Sequence, residues 1–372
     1  MRILVINTGS ASVKLAAFEA AGTRPHQVRS AHYSPHEDTP EALLQRFRDD
    51  WGEAPDALCH RVVHGGQRLQ APCRITSDVR DEIARLAEVA PLHNPIARSW
   101  IEAGSRVFTE RLPQVAIFDT AFYTHLPPHA AHYALPRAVT DEFALRRYGF
   151  HGIAHRAMWE RWTRLRPDLP HGGRLISIQL GGGCSITAIR NGLPRDTSMG
   201  FSPLEGLVMA TRSGDVDAGI ITYLMRKQNM TPDQVDRMLN EESGLKGLSG
   251  AGGDIRPLLD SDDAACRLAV DVYCYRVRKY LGAYLAVLGG ADGIVFGGGV
   301  GEHIARIREK ILAGMEWCDI LLDRSANEAV TAAEGRISQP SSITEVWVIP
   351  VDEAMVMARE AYRVLKNERA KD

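Results

Sequence analysis

Residues 2–20 read RILVINTGSASVKLAAFEA, and residues 174–192 read RLISIQLGGGCSITAIRNG. Each is an apolar strand pattern, a turn of small residues carrying a hydroxyl, and a second strand pattern. Recurrence at so long an interval is not a solenoid. It points to two related halves, each opening on a glycine-turned hairpin. The first turn admits two readings. Asn7, Thr8, Gly9 and Ser10 are ordinary turn formers. The same small residues also let backbone amides approach an anion, with Ser10 and Ser12 adding hydroxyls and Lys14 a point charge.

A third glycine cluster, GIVFGGGVGEH (293–303), follows a strand pattern and precedes the helical pattern IARIREKILAGM. Strand, glycine loop and helix in that order allow backbone amides to face a ligand. Helices are expected over TPEALLQRFRDDW (39–51) with Thr39 as cap, and over SDVRDEIARLAEVA (77–90) with Ser77 as cap. Two more are expected over the long apolar-faced stretch 261–289 and the amphipathic stretch 352–372. Strands alternating with helices imply an α/β fold with covered sheets. The hairpin spacing places the domains at 1–150 and 151–372, with the last helix packing back on the first.

A length of 372 residues suits two domains, and 45% hydrophobic with 24% charged residues suits a soluble globular protein. A net charge of −2 offers no global attraction for nucleic acid or an anionic membrane. The cysteines lack any C-x-x-C spacing and read as reduced thiols of a cytoplasmic protein. No secretory signal is read after Arg2, and the apolar region 280–301 is broken by Gly289, Gly290 and Asp292.

CHRVVHGGQ (59–67) sets Arg61 in an apolar, strand-like run, where a cation needs an anion or a carboxylate. A salt-bridged structural arginine is the plainer alternative. His60 and His64 would share one face of a strand, but no third ligand stands near enough to suggest zinc. QVAIFDTAFY (114–123) runs a buried strand into Asp119, where α/β sheets place ligand-binding groups. That carboxylate suits a metal or a substrate, or it caps a turn. In RRYGFHGIAH (146–155) Gly152 stands where H-E-x-x-H needs glutamate, so a metalloprotease is excluded. His151 is either structural or a donor to a developing oxyanion. DTSMGFSPLEGLVMATRSGDVDAG (196–219) supplies Arg212, a second guanidinium fork. Together these ask for an anionic substrate, a phosphate-bearing donor and a divalent ion, the inventory of phosphoryl transfer.

VINTGSASVK, HRVVHGG, PLHNP, FDTAFY, RRYGFHG, DTSMGFSPLEG, TRSGDVD, FGGGVGE and DEAMVMARE occur in an order that resembles the acetate kinase family over nearly the whole chain. The resemblance implies a duplicated actin-like, ribonuclease H-like fold of two domains with an active-site cleft between them. It implies reversible, direct in-line transfer of the ATP γ-phosphoryl group to acetate, giving acetyl phosphate and ADP. Mg2+ is the implied ion, with Mn2+ as a substitute, in a cytoplasmic homodimer without nucleic-acid or membrane partners.

By motif position the resemblance assigns Arg61 and Arg212 to the carboxylate and phosphoryl group, and His151 to an equatorial oxygen. Asp119 would position metal or substrate, while Asn7 and Glu353 serve the metal. Val63, Leu92, Phe150 and Pro203 would line the methyl pocket. Ser10, Ser12, Lys14, Gly181, Gly182, Gly183, Gly298, Gly299 and Gly301 would face the nucleotide, with His93 secondary. Four positions depart from the family pattern. Gln179 and Gly182 stand where it has histidine and asparagine, His303 where asparagine is usual, and Ala354 where a second acid is common. These raise alternatives on the donor side, such as a pyrophosphate-linked or propionate-preferring kinase. A non-catalytic ATP-binding protein is the remaining alternative, and the paired arginines and His151 argue against it.

Overall fold

The structure, a computed structural model, describes residues 1–9, 12–21, 24–34 and 37–369. Packing divides the chain into two units: Met1–Thr124 with Phe150–Ala157 and Asp352–Asp372, and His125–Gly149 with Met158–Val351.

The first unit holds a six-stranded sheet ordered β3-β2-β1-β4-β6-β5. Its strands are β1 (Arg2–Thr8), β2 (Val13–Ala21), β3 (Arg24–Tyr33), β4 (Ala57–Val62), β5 (Cys73–Arg74) and β6 (Gln114–Phe118). β1, β4 and β6 are parallel, and Ile6 pairs with His60, which pairs with Ala116. That register brings Asn7, Arg61 and the end of β6 to one edge of the sheet. The strands read as near-continuous apolar runs because both faces are covered. Ile3, Val5, Phe18, Cys59 and Ile117 pack on Val356, Met357 and Ala361 of the helix Glu353–Arg369. Leu4, Ile6, Leu15 and Leu58 meet Leu43, Phe47 and Trp100 of the helices Pro40–Trp51 and Asn94–Val107.

The second unit has β7 (Arg174–Leu180), β8 (Cys184–Arg190), β9 (Leu193–Thr197), β10 (Gly293–Gly297), β11 (Gly335–Arg336) and β12 (Glu345–Val348), ordered β11-β12-β10-β7-β8-β9. This is the first sheet again. Every neighbour and every parallel or antiparallel sense is repeated when β1–β3 become β7–β9 and β4–β6 become β10–β12. The duplication seen in two hairpins therefore extends to all six strands.

Three local expectations are corrected. Thr76, not Ser77, caps the second helix, its hydroxyl accepting from Val79 N, because Thr76 is the last extended residue. β4 ends at Val62, so His64 lies beyond the strand and shares no strand face with His60. The cluster after β10 is no loop: Gly297 is extended and a short helix begins at Gly298. Among the described residues no helix is long and apolar enough to cross a membrane, and the cysteines are free thiols.

Candidate active site

At the carboxyl edge of the first sheet, Arg61 Nη2 donates to Asp119 Oδ2 at 2.6 Å, and Nε lies 3.2 and 3.3 Å from the two carboxylate oxygens. Arg61 Nη1 reaches Asn7 Oδ1 at 3.3 Å, and Asn7 Nδ2 donates to Glu353 Oε2 at 2.7 Å. Four residues singled out in the sequence, from four separate segments, thus form one hydrogen-bonded chain. Burial pushes the Asp119 carboxyl up, and the Arg61 fork pulls against it. Burial also opposes the Arg61 charge, but Asp119 and Glu353 outweigh it and hold the guanidinium above its ordinary range. The carboxylate depends on the arginine for its charge. The guanidinium has more N–H donors than these contacts use, which leaves part of the fork for a carboxylate or phosphoryl oxygen.

Asp119 opens a tight turn, Asp119–Tyr123, directly after β6. The helix Gly152–Leu165 starts against that turn. A Cβ on Gly152 would overlap the Asp119 carbonyl oxygen and stand 2.7 Å from Phe122 Cβ, so only glycine permits the approach. The Ile153 amide in the first turn of this helix donates to the Asp119 carboxylate. His151 precedes the helix in the left-handed region, at φ +55, and Tyr123 Oη donates to the neighbouring Phe150 carbonyl at 2.9 Å. His151 is thereby held next to the segment that carries Asp119.

Val63 and Phe150 are buried, and the His64 and Phe150 rings lie 5.5 Å apart, edge to face. Two residues that the sequence reading quoted within motifs but did not single out hold this corner. Buried Asn94 accepts from His64 N at 3.2 Å and donates to His64 O at 3.0 Å, while Thr120 Oγ1 accepts from Gly65 N at 3.0 Å. An Asn-Pro pair at a helix start was the available signal for Asn94. Leu92 is exposed and His93 directly precedes the helix Asn94–Val107. His60 and His155 belong to the core. Burial lowers His60 to about 4, against its bond to Gln114, and lowers His155 to about 3.

In the first hairpin, Gly9 N bonds Ser12 O at 2.9 Å, and exposed Lys14 pairs with Asn7. Ser10 lies outside the described residues. In the second unit, Gly181 N bonds Gly183 O at 3.0 Å, and Gly182 O accepts from Ala210 N at 3.1 Å. A Cβ on Gly298 would stand 2.5 Å from Leu180 O and 2.8 Å from Gln179 Nε2, so Gly298 lies against the end of β7. Gly301 packs on Phe296 and Leu180, whereas Gly182 and Gly299 face open space. Glu302, also missed in the sequence, ties this region together by accepting from Gly298 N at 2.8 Å and Val351 N at 3.1 Å. Gln179 Oε1 is buried without a hydrogen-bond partner among the described residues. Arg212 Nη1 donates to the Pro203 carbonyl at 2.7 Å.

Among the described residues, no three His, Cys, Asp or Glu side chains gather to hold a metal by themselves. A Mg2+ ion is commonly held by one or two carboxylates plus substrate phosphates, and half-buried Glu353 beside Asn7 fits that mode.

The sequence model of the Acetokinase family matches residues 41–359. An acetate kinase of Chloroherpeton thalassium is 47% identical over 318 residues, covering 84% of this chain and 76% of the relative. An acetate kinase of Streptomyces coelicolor is 40% identical over 98% of this chain and 97% of its own. Among solved structures, Porphyromonas gingivalis acetate kinase matches with a TM-score of 0.86 at 34% identity, covering 98% of this chain and 99% of that one. A propionate kinase from Francisella tularensis matches with a TM-score of 0.86 at 32% identity, covering 96% and 98%.

Proposed function

This chain belongs to the acetokinase family and is a kinase of the acetate carboxyl group, and from that premise we propose how its own residues carry the transfer. Arg61 receives the acetate carboxylate, and Asp119 keeps its fork aligned. Arg212 holds the transferring phosphoryl group, and His151 donates to an equatorial oxygen. A carboxylate oxygen attacks the γ-phosphorus of ATP in line as the bond to ADP breaks, so acetyl phosphate and ADP form without a phosphoenzyme. Positioning and charge neutralisation supply most of the rate in such transfers. The observation that carries this reading is the Asp119–Arg61–Asn7–Glu353 chain at the carboxyl ends of parallel strands.

Val63, Leu92, Phe150 and Pro203 take the methyl group, which favours acetate over propionate by the room Val63 denies. Ser10, Ser12, Lys14 and the glycines at 181–183, 298, 299 and 301 take the nucleotide. Asn7 and Glu353 take the divalent ion. When bound there, Mg2+ (or Mn2+) would offset the charge of the donor phosphates. Incubation with ATP and acetate, with hydroxylamine trapping acetyl phosphate, tests the reading. The same assay with propionate should run more slowly, and an equal rate would contradict the assignment of Val63.

We further infer a cytoplasmic homodimer. The free cysteines support the reducing compartment. The helix Ala218–Gln228 supports the dimer: it buries none of its residues, and Ile220 and Tyr223 are exposed. Asp217 precedes it while Arg226 and Lys227 end it, so an antiparallel pairing with a second copy would oppose unlike charges.

A further inference from the structure

We propose that Tyr133, Glu205 and Arg147 form a positioning lock for Arg212, an extension that rests on Arg212 holding the transferring phosphoryl group. Arg212 Nη1 donates to a backbone carbonyl, that of Pro203, at 2.7 Å. The loop that presents this carbonyl belongs to no strand over Gly200–Gly206; backbone amides of Tyr148 and Asp215 bond its two ends at the Gly200 and Gly206 carbonyls, and side chains hold what lies between.

On one side, Phe201 N donates to Tyr133 Oη at 2.8 Å, and Tyr133 Oη donates in turn to Glu205 Oε2. Arg147 Nη2 donates to Glu205 Oε1 at 2.6 Å, and Arg147 Nη1 donates to the Thr197 and Ser198 carbonyls at 3.1 and 3.3 Å. The Arg147 guanidinium also lies over the Tyr133 ring, 5.6 Å from its centroid. Gly200 makes room for the pair, since a Cβ there would overlap both Glu205 Oε2 and Tyr133 Oη. On the other side, Asp215 Oδ1 accepts from Gly206 N at 2.8 Å, and its Oδ2 accepts from Tyr280 Oη at 2.8 Å.

Pro203 thus sits between two anchors, Phe201–Glu205 and Gly206. A turn of the intervening peptides would swing the Pro203 carbonyl and, with it, the Arg212 Nη1 that it accepts from. Tyr133 acts through Phe201 and Glu205, so it is a positioning residue. A catalytic guanidinium displaced by a fraction of an ångström loses much of its effect on the transition state. Neither Tyr133 nor Arg147 belongs to the hairpins or glycine clusters that define the donor side.

The test is a double-mutant cycle on kcat. Tyr133→Phe removes one hydroxyl and keeps the ring under Arg147. The expected result is a fall in kcat of about tenfold in the otherwise unaltered enzyme, with the KM for ATP unchanged. In an Arg212→Ala background the same substitution should change kcat by less than about twofold, because there is no longer a guanidinium to aim. Glu205→Gln, run through the same cycle, should give the same pattern and guards against a folding defect in either variant. Equal losses in both backgrounds would overturn the lock and leave Arg212 in its role. If Arg212→Ala alone cost nothing, the reading of Arg212 and the lock would fall together.

Discussion

Asp119 and Arg61 meet through a 2.6 Å Oδ2–Nη2 contact in which the carboxylate is 1% exposed and the arginine 12% exposed. The pair costs desolvation on both sides, and each charge is kept by the other.

Arg61→Ala should therefore do two things at once. Loss of the charged donor should lower kcat/KM for acetate by about 10²–10³-fold. The stranded Asp119 should cost about 3–5 kcal/mol of stability, read as a lower urea midpoint. The double variant with Asp119→Asn should recover part of the stability and none of the activity. Recovery of activity would show that the arginine serves only the fold.

Gly152→Ala and Gly182→Ala should separate packing from binding. At Gly152 a methyl would collide with the Asp119 carbonyl and Phe122, so both stability and kcat should fall. At Gly182 an added Cβ would meet nothing within 4 Å, so thermal stability should hold while the KM for ATP rises. A Gly182→Ala enzyme with unaltered ATP kinetics would remove that residue from the nucleotide site.

Val63→Ala should widen the acyl pocket by about two methyl groups. A methylene in such a pocket is worth about 1–3 kcal/mol, so the ratio of kcat/KM for propionate over acetate should rise by about tenfold or more. A ratio that does not move would place the methyl group elsewhere.

Acid should weaken the fold through His60 and His155, whose burial lowers them to about 4 and about 3 from 6.5. The folded state then binds fewer protons than the unfolded chain between those values. Stability is present above 6.5 and is lost as the pH falls toward the folded values. The slope should approach about 1.4 kcal/mol per pH unit for each histidine. Urea midpoints measured from neutral pH downward check it, and His155→Gln should flatten the curve.

Much of the fold was legible because the two hairpins are local. Residues 2–20 and 174–192 carry strand, turn and strand within reach of a periodicity argument. The remaining strands of each sheet come from distant segments, and only tertiary pairing shows that their order repeats. Asp119 was readable because a buried strand runs into it. Asn94, Thr120 and Glu302 were not, since each holds backbone from another segment and looks like an ordinary helix or turn residue in the sequence. Tyr133 and Glu205 are 72 residues apart, and no local pattern joins them. Ser77 was read as a cap because Thr76 and Ser77 are adjacent and chemically alike, and only the backbone angle chooses between them.

The most direct measurement is consumption of acetyl phosphate with Mg2+, with ADP and inorganic phosphate offered separately as acceptors. The account predicts ATP from ADP and no pyrophosphate from phosphate, with Gln179 and Gly182 tolerated beside the donor phosphates. Pyrophosphate formation with ADP inert would contradict it on the donor side, and turnover with neither acceptor would contradict it altogether.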